Sequence, residues 1–92
     1  MYALRFKKSV QKDFRRIGQA AARRVLAAIR EKLVHDPRGA GKPLRGRHGT
    51  LWSFRVGDWR VLYTFSETEV WILVVRVGPR RDVYDKLERS EE

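Results

Sequence analysis

The 92-residue chain contains no cysteine, so neither a disulfide nor a thiolate metal site is available to it. Long apolar runs are absent too. The longest, Val70–Val75, is ended by Arg76, far short of the roughly 20 residues that span a bilayer. Met1 to Lys8 alternates apolar and basic residues and has no apolar core of the kind a secretion signal needs. A cytoplasmic location without a membrane partner is therefore expected. Histidines number two, His35 and His48, and both are expected at the surface, in or near helix and loop. No metal or other cofactor is expected. Acidic residues are scarce: 11 against 21 Lys and Arg, for a formal net charge of +10. A field of that sign favours polyanionic partners, nucleic acid first and acidic protein second.

What is present fits that bias. Fifteen of the cations are arginines and six are lysines. Arginine's planar fork contacts phosphate in bidentate fashion, where lysine acts as a point charge. Apolar residues make up 42% of the chain, enough for a packed core. The length suits one domain, 1–92, with 86–92 as a loose tail.

The period of the apolar residues changes along the chain. Tyr2, Leu4 and Phe6 alternate with Ala3, Arg5 and Lys7, which is strand spacing. Ser9 is placed to cap a helix, along which Val10, Phe14 and Ile17 recur. Gly18 breaks it. Ala22, Val25, Leu26, Ile29 and Leu33 make a second helical stripe, stopped at Asp36-Pro37. The segment Arg38–Gly49 reads as a loop. Period two then returns in Trp52–Val56 and Trp59–Phe65, joined by the two-residue turn Gly57-Asp58. A turn near Ser66–Thr68 leads to a strand Val70–Val77, ended by Gly78-Pro79. Asp82–Arg89 suits a short helix. The expected class is α+β: an N-terminal strand, a two-helix hairpin, a three-strand antiparallel meander completing a twisted sheet, and a short C-terminal helix.

The two-residue turn fixes the hairpin register. Val56 faces Trp59, Phe54 faces Val61 and Trp52 faces Tyr63, and these make the core face. The opposite face carries Ser53, Arg55, Arg60 and Leu62. Arg55 and Arg60 are then direct cross-strand neighbours. Like charges so placed cost up to about 1 kcal/mol. Either the two guanidinium groups splay into water or meet Asp58 or Glu69, or an anion binds between them. Trp71, expected opposite Thr64, adds apolar surface to the open face with Leu62, Leu73 and Val75, unless Val83 and Leu87 cover it. Exposed apolar surface of that kind marks a partner site.

Three segments, in order, resemble the RelE/ParE toxin superfamily, and its RelE branch more closely. They are Lys42-Pro43-Leu44-Arg45-Gly46, then Phe54-Arg55-Val56-Gly57-Asp58-Trp59-Arg60-Val61-Leu62-Tyr63, then Val77-Gly78-Pro79-Arg80-Arg81-Asp82-Val83-Tyr84. The resemblance runs from Tyr2 to Tyr84. It implies the toxin of a type II toxin–antitoxin pair, with an architecture like that of the small microbial ribonucleases. Such a toxin cuts mRNA in the ribosomal A site without a metal. Its implied partners are the ribosome, mRNA and a cognate, RelB-like antitoxin, with operator DNA reached only through the antitoxin complex. Position by position, Arg55, Arg60, Arg80 and Tyr84 fall on the catalytic site. Arg45 matches a basic position beside it, and Arg47 and Arg81 join it as phosphate contacts. An acidic antitoxin segment is expected on Leu62, Trp71 and Leu73, or in place of the terminal helix. The chain departs from the pattern at Ser53, where some members carry lysine, and at Pro79, where several carry histidine.

Two rivals share these features. A ParE-like toxin has the same fold but poisons DNA gyrase and needs no arginine–tyrosine set. A plain nucleic-acid-binding module would stack bases on its tryptophans, yet Trp52 and Trp59 fall on the core face.

Overall fold

The computed structural model describes residues 1–44 and 50–79. Arg45, Arg47, Arg80, Arg81, Tyr84, the expected helix Asp82–Arg89 and the tail 86–92 all lie outside the described residues.

The architecture is α+β. Strand β1 (Ala3–Phe6) leads into α1 (Val10–Ile17) and α2 (Gln19–Ala28), separated at Gly18, whose φ is 93°. Helix α2 runs on into a π-helical turn, Ile29–Leu33, closed by the bond from Val34 N–H to the Ile29 carbonyl at 3.0 Å. The sequence explains that wide turn. Val25, Ile29 and Leu33 are all fully buried, and their strict spacing of four outruns an α-helical turn of 3.6 residues. One i→i+5 turn takes up the slack and keeps all three on the core.

Arg38–Gly49 is not wholly loop, as the sequence had suggested. Helix α3 (Pro37–Ala40) is capped by Asp36, whose carboxylate accepts the Gly39 N–H at 3.0 Å. A two-residue strand β2 (Lys42–Pro43) follows. The hairpin strands β3 (Trp52–Val56) and β4 (Trp59–Ser66) and the long β5 (Trp71–Pro79) complete one sheet in the order β1-β5-β4-β3-β2. Among the described residues the sheet thus has five strands. β1 lies parallel to β5, and every other pairing is antiparallel.

The β3–β4 register is the one the turn predicts: Trp52–Tyr63, Phe54–Val61, Arg55–Arg60 and Val56–Trp59. Gly57 has φ 58°, the glycine-first geometry of a type II′ hairpin turn. The β4–β5 register differs from the expectation. Trp71 pairs with Ser66 and Leu73 with Thr64, so Trp71 sits two residues from the place predicted for it, though on the same face. The four-residue turn from Ser66 to Trp71 causes this, and a bulge at Leu62/Tyr63 shifts the register once more beyond it, leaving Val75 without a strand partner. Alternation alone reveals neither.

Helices and sheet meet in one core. Val10, Val25, Ile29 and Leu33 pack against Phe54, Val56, Val61, Tyr63, Ile72, Val74 and Val77, with Trp52 and Trp59 at its margin. Each such side chain contributes on the order of 1.5–3 kcal/mol on burial.

The Ser66–Trp71 turn carries one strained residue. Val70 has φ 61° and is 41% exposed. A left-handed conformation costs a β-branched residue about 1–2 kcal/mol. Val70→Asn is expected to raise the melting temperature by several degrees, since about 1 kcal/mol corresponds to roughly 4–8 °C in a domain of this size. A lower melting temperature in a thermal scan would mean that the valine's packing outweighs its backbone strain.

Candidate functional site

The open face of β3 and β4 carries Ser53, Arg55, Arg60 and Leu62, with Arg55 directly opposite Arg60. The like-charge pair predicted from the turn is therefore present. Arg55 is exposed, and its Nε donates to the Gly57 carbonyl at 3.2 Å. Arg60 is half-buried and has no hydrogen-bond or ion-pair partner among the described residues. Neither Asp58 nor Glu69 neutralises the pair. Glu69 instead accepts the Trp71 indole N–H at 3.2 Å.

Arg55 and Arg60 line a cleft of about 380 Å3 with Lys42, Leu44 and Ser53. Lys42 was missing from the sequence-derived site, although it opens the first family-like segment. Its strand is only two residues long, too short to show a period. In the sheet Lys42 is the register partner of Ser53. A cation therefore stands beside the position where some RelE-like chains carry lysine, supplied by the neighbouring strand. The cleft thus brings three cations together, and within the described residues it contains no acid.

Buried contacts hold Lys42 in place. Tyr63 is fully buried, and its hydroxyl donates to the Pro37 carbonyl at 2.6 Å, tying α3 to β4. Gly41 then crosses so close that a Cβ there would lie 2.1 Å from the Tyr63 hydroxyl and 2.7 Å from the Ser53 carbonyl. Only glycine fits. Arg38 adds an exposed clasp: it pairs with Glu67 and lies 5.8 Å from the Trp52 ring centre. Its hydrogen bond and charge hold the Glu67 carboxyl below the usual range. An exposed pair of this kind is worth little stability.

Burial pushes the Tyr63 phenol well above its ordinary value, and the nearby Asp36 charge adds to this. The phenol thus stays a neutral donor. Because its folded value is raised, its contribution is full below the unfolded value near 10 and is lost as pH rises through the folded one. Tyr63→Phe is expected to cost about 1–3 kcal/mol by leaving the Pro37 carbonyl unpaired. Urea titrations at neutral and alkaline pH check this, and equal stability of the two proteins at pH 7 would refute it.

At the far edge of β5 lies a polar contact that the sequence did not suggest. Asp13, on α1, is 3% exposed. It accepts the Val77 N–H at 3.0 Å and lies 3.7 Å from Arg76 Nη1. β1 has already left the sheet there, its last pairing being Phe6 with Val74. The carboxylate thus takes the edge N–H that a longer β1 would have bonded.

The three residues expected to meet an antitoxin divide. Trp71 and Leu73 are half-buried on the open face beside β1. Leu62 is fully buried and stands outside the main core cluster, so of the two outcomes the sequence left open it is the covered one. His35 is exposed. Among the described residues no three His, Cys, Asp or Glu side chains gather as a metal site, and no helix is long and apolar enough to cross a membrane.

Comparison with known proteins agrees with this geometry. Residues 4–84 match the family described as ParE toxin of type II toxin–antitoxin system, parDE. Toxin RelG of Mycobacterium tuberculosis is 31% identical over 87 residues, covering 90% of this chain and 95% of that protein. The RelBE toxin–antitoxin complex structure from the same organism superposes with TM-score 0.80 at 26% identity, over 86% of this chain and 98% of that one. An archaeal RelE–RelB complex from Pyrococcus horikoshii gives TM-score 0.68 at 28% identity, over 87% and 96%. The isolated Escherichia coli RelE toxin shares the fold over the full length of both chains, with TM-score 0.70 at 24% identity. The chain belongs to the RelE/ParE family of type II toxin–antitoxin toxins.

Proposed function

We propose that this toxin is a metal-independent endoribonuclease that cuts mRNA in the ribosomal A site. The observation that carries the reading is the Arg55–Arg60 pair, which no acid among the described residues neutralises and which lines a cleft with Lys42. A sheet built only to fold has no use for that repulsion, whereas a phosphate between the two guanidinium groups turns it into attraction.

In the reaction the 2′-OH loses its proton and attacks the adjacent phosphorus in line, the P–O5′ bond breaks to leave a 2′,3′-cyclic phosphate, and the 5′ oxygen takes its proton from solvent. Arg55, Arg60 and Arg80 stabilise the extra charge on the pentavalent phosphate, and such preorganised stabilisation is often the largest catalytic contribution. Gly78, two residues ahead of Arg80, pairs with Arg60, which supports that grouping. Tyr84 takes the 2′-OH proton. Phenols ordinarily titrate near 10, and neighbouring guanidinium groups favour the phenolate. Arg45, Arg47 and Arg81 hold flanking phosphates. Among the described residues no strong acid–base pair lines the cleft, and the ribosome supplies the alignment, an effect worth several kcal/mol. Free RNA is accordingly a poor substrate. The partner that silences the toxin is a RelB-like antitoxin whose acidic segment meets Trp71 and Leu73, and the complex carries the toxin to operator DNA.

The matched family bears the ParE name, so poisoning of DNA gyrase is the second reading. Pulse labelling after induction separates them. Amino-acid incorporation stopping before thymidine incorporation supports the nuclease, and the reverse order supports the gyrase poison.

A further inference from the structure

The hairpin tip joins two basic surfaces. A Cβ built on Gly57 would lie 3.1, 3.3 and 3.5 Å from Nη2, Cζ and Nη1 of Arg24. The guanidinium of a helix α2 residue therefore occupies the space beside the turn that a side chain at position 57 would fill. The carbonyl of the same glycine accepts the Arg55 Nε from the open face of the sheet. A second cavity, about 220 Å3 and lined by Arg55, Gly57, Asp58 and Arg60, sits at this tip. Three guanidinium groups thus surround one turn. Arg24 is exposed and has no hydrogen bond or ion pair among the described residues. Asp58 is the single carboxylate on the turn.

We infer that Arg24 is a further phosphate-binding residue, and that the substrate strand leaves the cleft over the Gly57-Asp58 tip with a flanking phosphate held between Arg24 and Arg55. The inference rests on the nucleic-acid reading of the open face and extends it to the helix layer. The Arg24 guanidinium already lies beside the turn in the free chain, and arginine's planar fork loses little freedom per contact it forms. Asp58 opposes the phosphate, so it limits affinity at the tip.

The test uses the full chain and a short single-stranded RNA with 2′-O-methyl groups throughout, which cannot be cleaved. Binding is followed by fluorescence anisotropy from 50 to 200 mM salt. Arg24→Gln is expected to weaken binding several-fold at low salt. The gap should narrow by roughly threefold across the series, as loss of one phosphate contact on a single strand requires. Asp58→Asn should tighten binding. Arg23→Gln, turned about 100° away on the same helix, should have the smaller effect, and the melting temperature of Arg24→Gln should match the wild type. Equal losses from Arg23→Gln and Arg24→Gln would overturn the site in favour of a diffuse basic field. So would unchanged RNA binding with weaker inhibition of translation, which would make Arg24 a ribosomal RNA contact. A wild-type chain that binds no RNA would overturn it as well. If the Arg24 effect appears but mRNA stays intact in translation, the nuclease reading fails and the phosphate site stands. If mRNA is cut but Arg24→Gln binds like wild type, the reverse holds.

Discussion

Arg60→Gln is expected to lower ribosome-dependent mRNA cleavage by about 10²- to 10³-fold, the usual loss when one preorganised charge-stabilising donor is removed. The same change should leave the melting temperature unchanged or raise it. Arg60 faces Arg55 across the hairpin, and removing one of two opposed like charges relieves up to about 1 kcal/mol. Arg60→Glu should go further, since it replaces repulsion by a cross-strand ion pair while abolishing the phosphate site. Activity and stability thus move in opposite directions, the pattern of a residue kept for function against folding. A cleavage time course alongside a thermal scan checks both halves. Loss of both in Arg60→Gln would mean that the arginine holds the hairpin together, and its catalytic assignment would fall.

Asp13→Ala is expected to destabilise the domain by about 3 kcal/mol, on the order of 10–20 °C in melting temperature. The carboxylate is almost completely buried and accepts the Val77 N–H. Alanine leaves that edge N–H unpaired and removes the counter-charge of Arg76, whose buried Nε has no hydrogen-bond partner among the described residues. Asp13→Asn separates the two contributions. It keeps an acceptor for Val77 and removes only the charge, so it should cost less than half as much. Gly78 follows Val77 and pairs with Arg60, so the damage should reach the cleft and reduce cleavage as well. Chemical denaturation of the three proteins decides this, and equal stability of wild type and Asp13→Ala would refute it.

The parts of this molecule visible in its sequence are those governed by local rules. A two-residue turn leaves one register for its hairpin, so Arg55 and Arg60 could be placed opposite each other from the sequence. The helical stripe through Val25, Ile29 and Leu33 was likewise readable, though its π-helical turn was not, because the pattern records which residues face inward and not how the backbone manages it. Lys42 escaped because two residues cannot show a period, and its place in the cleft depends on Tyr63 reaching Pro37, 26 positions away. Asp13 escaped for a related reason. Its spacing from Val10 and Ile17 puts it on the apolar face of α1, but its partner lies 64 positions on, beyond any local rule. The β4–β5 register was misplaced because the turn from Ser66 to Trp71 is two residues longer than expected, and the uninterrupted apolar run Val70–Val75 hides the bulge beyond it. Leu62 was placed on the open face by register, which tells which side a residue takes and left open what covers that side.

The most direct test is a purified translation system programmed with a defined mRNA, with wild type and Arg60→Gln compared and the products mapped by primer extension. Cuts at A-site codons that require ribosomes, are absent on naked mRNA and fade in Arg60→Gln are the expected result. Intact mRNA under conditions where the same preparation blocks gyrase supercoiling would contradict the nuclease account and assign the chain to the gyrase-poisoning branch of its family.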